Sequence, residues 1–273
     1  LTEITRKEVE DWVIWAENCP KTVQRRDNQG GEVGYSNKTV LGWWNVLKIV
    51  LRDAAAHYDL KDPLARVQPP KRDGGVKRER RTLTTDQLKR MLESLEQRHP
   101  QHYAAGLLLA STGMRSGEVF GLHWEDVDLE GRVIRIQRAV WRGRLDTPKT
   151  EAGRREVPIT AQLAKVLRDH RRQQLMGQHP GLEVGIVFPS ITGGYRCGLA
   201  LRRPLELAAQ DVGVKLHVTP QVLRRTFNTL ALLAGVDRVV LRSVMGHTDE
   251  SMTEHYAGVG LESKRAALEG VFR

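Results

Sequence analysis

The sequence predicts a mainly α-helical chain with a small antiparallel β-sheet, an α+β arrangement in two domains, and three observations carry that expectation. Apolar residues recur at three- and four-residue intervals through most of the 273 residues. The period drops towards two only between residues 132 and 159. Pro63, Pro69, Pro70, Gly74 and Gly75 interrupt both patterns and mark a boundary, because proline denies a helix its donor and glycine loosens the backbone.

The first domain, residues 1–70, opens on Thr5-Arg6-Lys7-Glu8, the spacing of a capping box, followed by Val9, Trp12, Val13 and Ala16 at helical intervals; Pro20 ends or interrupts that helix. After the turn-rich 29–34 stretch, Ser36 precedes a longer helix whose stripe is Val40, Leu41, Trp44, Leu47, Leu51, Ala54 and Ala55. Residues 71–82 form a basic linker. The second domain, 83–273, opens at Thr84-Thr85-Asp86-Gln87, again cap-like, leading into Leu88, Met91, Leu92 and Leu95. An apolar helix through Tyr103–Ala110 runs towards Arg115. Short strands follow: Ile134 and Ile136 alternate with Arg135 and Gln137, then come Ala139-Val140-Trp141, and finally Val157 and Ile159, taken together as one sheet. Helical patterns resume at 161–173, 199–211, 220–234, 239–245 and 251–257. No repeat or low-complexity tract interrupts them.

Composition narrows the class of function. The formal net charge of +10 points to a polyanionic partner, and its placement says more than its size. Residues 1–70 hold ten basic and ten acidic side chains, whereas 71–81 hold six and two. Lys71, Arg72, Lys77, Arg78, Arg80 and Arg81 are therefore candidate phosphate contacts on a solvated linker. No apolar run approaches the roughly 18 residues of a membrane span, and no secretory pattern opens the chain, so a cytoplasmic location is expected. Cys19 and Cys197 are too few and too far apart for a disulfide framework or a cysteine metal site; no metal and no cofactor is expected. Because residue 1 is Leu rather than Met, the chain reads as a fragment or processed form of something longer.

The residues with chemical promise are Arg115, Lys149, Gln221, Arg224, His247 and Tyr256. A phosphodiester resists nucleophiles because it is anionic, so fixed positive charge on its non-bridging oxygens lowers the barrier. Arginine suits this with a planar fork that stays charged. Arg224 follows the helix start Thr219-Pro220, one turn from Gln221, and Arg225 beside it is a further candidate DNA contact. Tyr256 is a candidate nucleophile that would store the bond energy as a phosphotyrosine; a single tyrosine is otherwise a packing residue. His247, in a Gly-His turn, either donates to the phosphate or caps a helix. Lys149 sits in a hairpin-like turn between two strand signals, where it is either simply solvated or a general acid for the departing 5′ oxygen.

Thr112 to Leu122, Thr147 to Thr150, Thr219 to Phe227 and Val244 to Tyr256 resemble, in order, the four signature segments of the tyrosine recombinases, the phage integrase family. The likeness spans essentially the whole chain. It implies a helical core-binding domain joined to a recombinase-like catalytic domain. Arg115 and Arg224 would clamp the scissile phosphate, Glu118 would orient the arginine, Lys149 would be the acid, His247 would assist and Tyr256 would attack. It further implies site-specific DNA recombination through a Holliday junction on double-stranded DNA, by a homo-tetramer at the nucleoid of a bacterial or phage-infected cell, with DNA-bending accessory proteins as candidate partners. Gln221 departs from the family, which usually has His there; glutamine cannot exchange a proton near neutral pH, which leaves water, His247 or His217 as acceptor.

Three rivals stand beside this reading. A type IB topoisomerase uses the same chemistry, a catalytically impaired relative would bind DNA without cutting it, and three-carboxylate integrases need Mg²⁺. The tail, with Val259, Leu261, Ala266, Ala267 and Leu268, reads as a helix packed either on its own domain or on a neighbouring protomer.

Overall fold

The computed structural model describes residues 4–18, 35, 37–71, 82–146, 154–246 and 260–271. The chain divides into two compact units, Leu1–Glu79 and Arg80–Arg273. In the first, helix α1 (Arg6–Asn18) starts at Thr5: its hydroxyl accepts from the Glu8 amide, and the Glu8 carboxylate accepts from the Thr5 amide. That reciprocal pair satisfies amides that have no partner within the helix. Helix α2 (Asn37–His57) buries Val40, Trp44, Leu51 and Ala55 on one stripe. Val9, Val13, Trp44, Leu51 and Leu64 form the core of this unit, with Trp12 and Trp44 stacked at 6.4 Å.

The second unit begins with a second capping box. Thr84 accepts from the Gln87 amide at 3.2 Å and the Gln87 side chain accepts from the Thr84 amide at 3.0 Å, launching α3 (Thr85–Arg98). Pro100 then starts α4 (Pro100–Thr112), whose residues 104 to 112 are buried without a break. A helix apolar on all sides must be surrounded, and α4 packs against α3, α6 (Ala161–Met176) and α8 (Pro220–Leu233). The Leu83 amide donates to the buried Thr226 hydroxyl at 3.1 Å, which ties the start of this unit to α8. The short α5 (Ser116–Phe120) leads to the strands.

Five strands are described: β1 (Val127–Asp128), β2 (Val133–Ile136), β3 (Ala139–Trp141), β4 (Arg144–Asp146) and β5 (Arg155–Pro158). They do not form the single sheet expected from the alternation. β1-β2-β5 is one antiparallel sheet, and β3-β4 is a separate hairpin. The reason lies in α5, where Gly117 and Gly121 let the backbone of β3 approach so closely that an added Cβ would meet Val140 O at 2.7 Å and Ala139 Cα at 3.1 Å. Held there, β3 leaves the edge of β2, which β5 takes, Ile134 pairing with Val157. The strands on either side of residues 147–153 consequently pair with different partners, so β4 and β5 are not the two arms of one hairpin around Lys149, which itself lies outside the described residues.

Helices α7 (Arg202–Asp211), α9 (Arg238–Met245) and α10 (Leu261–Val271) complete the described α-helices. The helix expected at 251–257 lies outside the described residues. α10 packs on β5, α8 and α9 of its own unit, with Leu268 in the core and Arg265 donating to Gly131 O at 2.8 Å. Among the described residues no helix is long and apolar enough to cross a membrane.

Candidate active site

Two helices end in the same way next to the residues of interest. α4 closes at Gly113 (φ 62°, ψ 18°), whose amide bonds Leu109 O, and α9 closes at Gly246 (φ 62°, ψ 50°), whose amide bonds Arg242 O. These are left-handed caps, a conformation costly for residues with a Cβ. Both positions are also crowded: a Cβ at Gly113 would overlap the ring of the buried Phe227, and at Gly246 it would lie 2.7 Å from Arg155 Nη1. Each glycine thereby fixes the backbone at the end of its helix, and Gly113 directs the chain towards Arg115.

Arg115 is the N-cap of α5, with extended backbone angles. Its amide donates to Glu118 Oε2 at 2.8 Å, its Nη1 to Glu118 Oε1 at 2.9 Å, and its Nη2 to Gly246 O at 3.0 Å. Arg224 is placed by α8, which starts where the Thr219 hydroxyl accepts from the Val222 amide and Pro220 occupies the first turn. It is only 4% exposed, and its guanidinium donates to Gly113 O and, at 2.7 Å, to Met245 O. Two arginines distant in sequence thus converge on consecutive carbonyls at the end of α9. A third joins them: Arg155, from β5, donates through Nε to Val244 O at 2.6 Å. The last three carbonyls of α9 and its cap, the negative end of the helix dipole, therefore face three guanidinium groups.

One carboxylate balances this cluster. Glu118 is buried and accepts from Arg155 Nη2 at 2.9 Å and Nη1 at 3.2 Å, besides its bonds to Arg115. Burial raises its pKa, but hydrogen bonding and charge from Arg155, followed by those from Arg115, outweigh that and hold it below the usual carboxylate value. The pKa of Arg224 is lowered as well, which for a base disfavours the charged form: burial first, and then the neighbouring charge of Arg115, bring it down to about 10, still protonated at neutral pH. Three guanidinium groups against one carboxylate leave positive charge in excess. Arg115, 48% exposed at its side chain, is the member open to a ligand. Such a cluster is suited to an anion carrying paired oxygens.

The remaining expected residues are placed as follows. Gln221 is exposed on the first turn of α8, while Arg224, one turn on, is drawn into the core by its two carbonyls. His217 pairs with Glu206 at 3.3 Å. Arg225 is partly exposed, and its buried Nε has no partner among the described residues. Lys71 is exposed, its amide donating to Glu17. Arg72, Lys77, Arg78, Arg80, Arg81, Lys149, His247 and Tyr256 lie outside the described residues. Cys197 is a free, exposed thiol. Arg155 was not among the expected residues, although a signal was present: it lies two positions from Val157, on the same face of the strand, and a guanidinium on a buried face requires a counter-ion.

The phage integrase family model matches residues 81–261. The XerC-like tyrosine recombinase of Caldanaerobacter subterraneus is 27% identical over 90% of this chain and 69% of its own length. The putative prophage phiRv2 integrase of Mycobacterium tuberculosis is 31% identical over 65% of this chain and 48% of its own; the chain thus spans about half the length of several relatives it matches. In fold, the chain is similar to the Tn1549 transposon integrase in complex with a circular intermediate DNA, with a TM-score of 0.68 and 22% identity over 98% of this chain and 86% of that one. It is also similar to a lambda integrase tetramer bound to a Holliday junction, with a TM-score of 0.60 and 16% identity over 92% of this chain and 66% of that one.

Proposed function

Because this chain belongs to the phage integrase family of tyrosine recombinases, we propose that it is a site-specific DNA recombinase that cuts and rejoins duplex DNA through a 3′-phosphotyrosine and a Holliday junction. The observation that carries the reading is the convergence of Arg115 and Arg224 on the carbonyls of Gly246 and Met245, the residues immediately before His247.

In this reading Arg115 and Arg224 hold the two non-bridging oxygens of the scissile phosphate, and Glu118 keeps Arg115 in place. The phenol oxygen of Tyr256 attacks phosphorus and the bond to the 5′ oxygen breaks. Lys149 supplies the proton to that oxygen, and water or His247 receives the proton of the tyrosine. Gln221 hydrogen-bonds the phosphate or the phenol without exchanging a proton. His217, the third candidate acceptor, lies 3.3 Å from Glu206. A 5′ hydroxyl from the partner strand then attacks the phosphotyrosine, restoring both the diester and the phenol. Fixed guanidinium charge takes the role that a metal ion plays in other phosphoryl-transfer sites, so cleavage proceeds in excess chelator.

Residues 1–70 serve as the core DNA-binding domain, the basic 71–82 stretch as a phosphate-contacting linker and residues 83–273 as the catalytic domain. Four protomers assemble on two sites, in the nucleoid, with room for bending proteins. The test is a nicked suicide substrate. A covalent adduct that disappears in Tyr256→Phe supports the reading; tight binding with no adduct from the unaltered chain would make it an inactive DNA-binding relative, the alternative that Gln221 favours. Relaxation of DNA without any site preference would favour the topoisomerase.

A further inference from the structure

We propose that Arg155 is a positioning residue of the recombination site: it holds Glu118 and the last turn of α9 together, and so keeps Arg115 from being captured by Glu118 alone. The inference rests on the recombinase reading above only for what the held arginine does to DNA.

Four contacts carry it. Arg155 is 5% exposed at its side chain, and each of its three guanidinium nitrogens donates, Nη1 and Nη2 to the two oxygens of Glu118 and Nε to Val244 O. Its guanidinium also lies against Gly246, where a Cβ would come within 2.7 Å of Nη1 and 2.9 Å of Cζ. The cap of α9 is therefore shaped against Arg155, and the absence of a side chain at residue 246 is what admits it. Glu118 in turn accepts four hydrogen bonds, two from Arg155 and two from Arg115.

The consequence is a matter of charge. Arg115, Arg155 and Arg224 with Glu118 leave two positive charges in excess, which a phosphodiester meets with one negative charge of its own. Replacing Arg155 by methionine leaves one positive charge in excess, and Glu118, buried with a single cation, pulls Arg115 towards itself and away from a ligand. Replacing Glu118 by glutamine as well returns the excess to two. Glutamine still accepts from Arg115 but exerts no net charge on it. A residue that served packing alone would show no such recovery, because the double variant has lost every ionic contact that the single one lost.

The experiment compares the unaltered chain, Arg155→Met, Arg155→Lys and the double variant Arg155→Met/Glu118→Gln. The rate of covalent adduct formation on a nicked substrate is read alongside the thermal midpoint of each protein with and without inorganic phosphate. Arg155→Met is expected to slow adduct formation roughly 10- to 100-fold, the scale of a misplaced reacting group, while DNA retention in a gel shift is kept. Arg155→Lys falls between, having the charge but not the fork. The double variant recovers about tenfold over Arg155→Met, in proportion to the charge regained at the reacting phosphate. The rise in midpoint given by phosphate follows the same order and needs no DNA cleavage. Adduct formation by Arg155→Met at the unaltered rate overturns the inference, as does a double variant no faster than the single one. If the unaltered chain forms no adduct while the phosphate response keeps this order, the role of Arg155 stands and the recombinase reading fails; adducts without that order do the reverse.

Discussion

Replacing Gly113 by alanine separates two contributions that the end of α4 combines. The residue sits at φ 62°, where a Cβ costs roughly 1–2 kcal/mol. About 0.4–1 kcal/mol is returned because alanine has less freedom to lose on folding. The added methyl would also overlap the ring of Phe227, which is fully buried among the core residues and has nowhere to move. Overpacking of this kind costs about 1–3 kcal/mol. The expected loss at Gly113 is therefore about 1–5 kcal/mol, centred on about 3 kcal/mol. Gly235 supplies the control, since it has the same sign of φ, +79°, but open space around its missing Cβ. There only the conformational part remains, about 1 kcal/mol. Equilibrium urea unfolding of the three proteins reads both numbers, as a change in midpoint at constant slope. Equal losses for the two variants would refute the reasoning, because they would mean that the ring of Phe227 yields without cost. A changed slope for either would point to an altered unfolded state instead.

Two further outcomes follow from the site. Gln221→His should leave adduct formation intact or raise it, because an imidazole can take the proton that glutamine cannot; a large loss, measured on the nicked substrate, would contradict the assignment. Glu118, whose pKa in the folded protein is depressed by Arg155 and Arg115 against the opposing effect of burial, contributes stability that is present above its unfolded value of about 4.3 and is lost as pH falls through the lower folded value. Glu118→Gln should accordingly flatten the acid limb of the stability curve below about pH 4.3, and coincident curves for the two proteins would sink that account.

Much of the fold is legible in short stretches of sequence. Thr5 with Glu8 and Thr84 with Gln87 announce helix starts that the structure reproduces as reciprocal hydrogen bonds, since both partners of a capping box lie within one turn. The stripes of α2 and α3 contain the buried residues of both helices, with Leu41, Leu47, Ala54 and Leu92 on the same stripes only partly buried, as a helical period defines a face but not its edges. The sheet was harder. Alternation around Ile134 and Ala139 shows that strands form there, but not which edges pair, and that choice depended on the glycines of α5 drawing β3 away from β2. Arg155 was overlooked for a related reason: its importance comes from Glu118 and Val244, neither near it in sequence.

The sequence alone determined a mostly helical chain, the helix starts at Thr5, Thr84 and Thr219-Pro220, and the order of the segments that carry Arg115, Arg224 and the residues around them. Only the tertiary structure decided that three arginines meet at one helix end, that Glu118 is shared between two of them, that the strands split into two sheets, and that α10 lies on its own unit. The physical reason is range. Caps and periodicities are satisfied by neighbours a turn away, whereas a buried charge is satisfied by whichever carbonyl or carboxylate the packing of distant helices brings within about 3 Å of it.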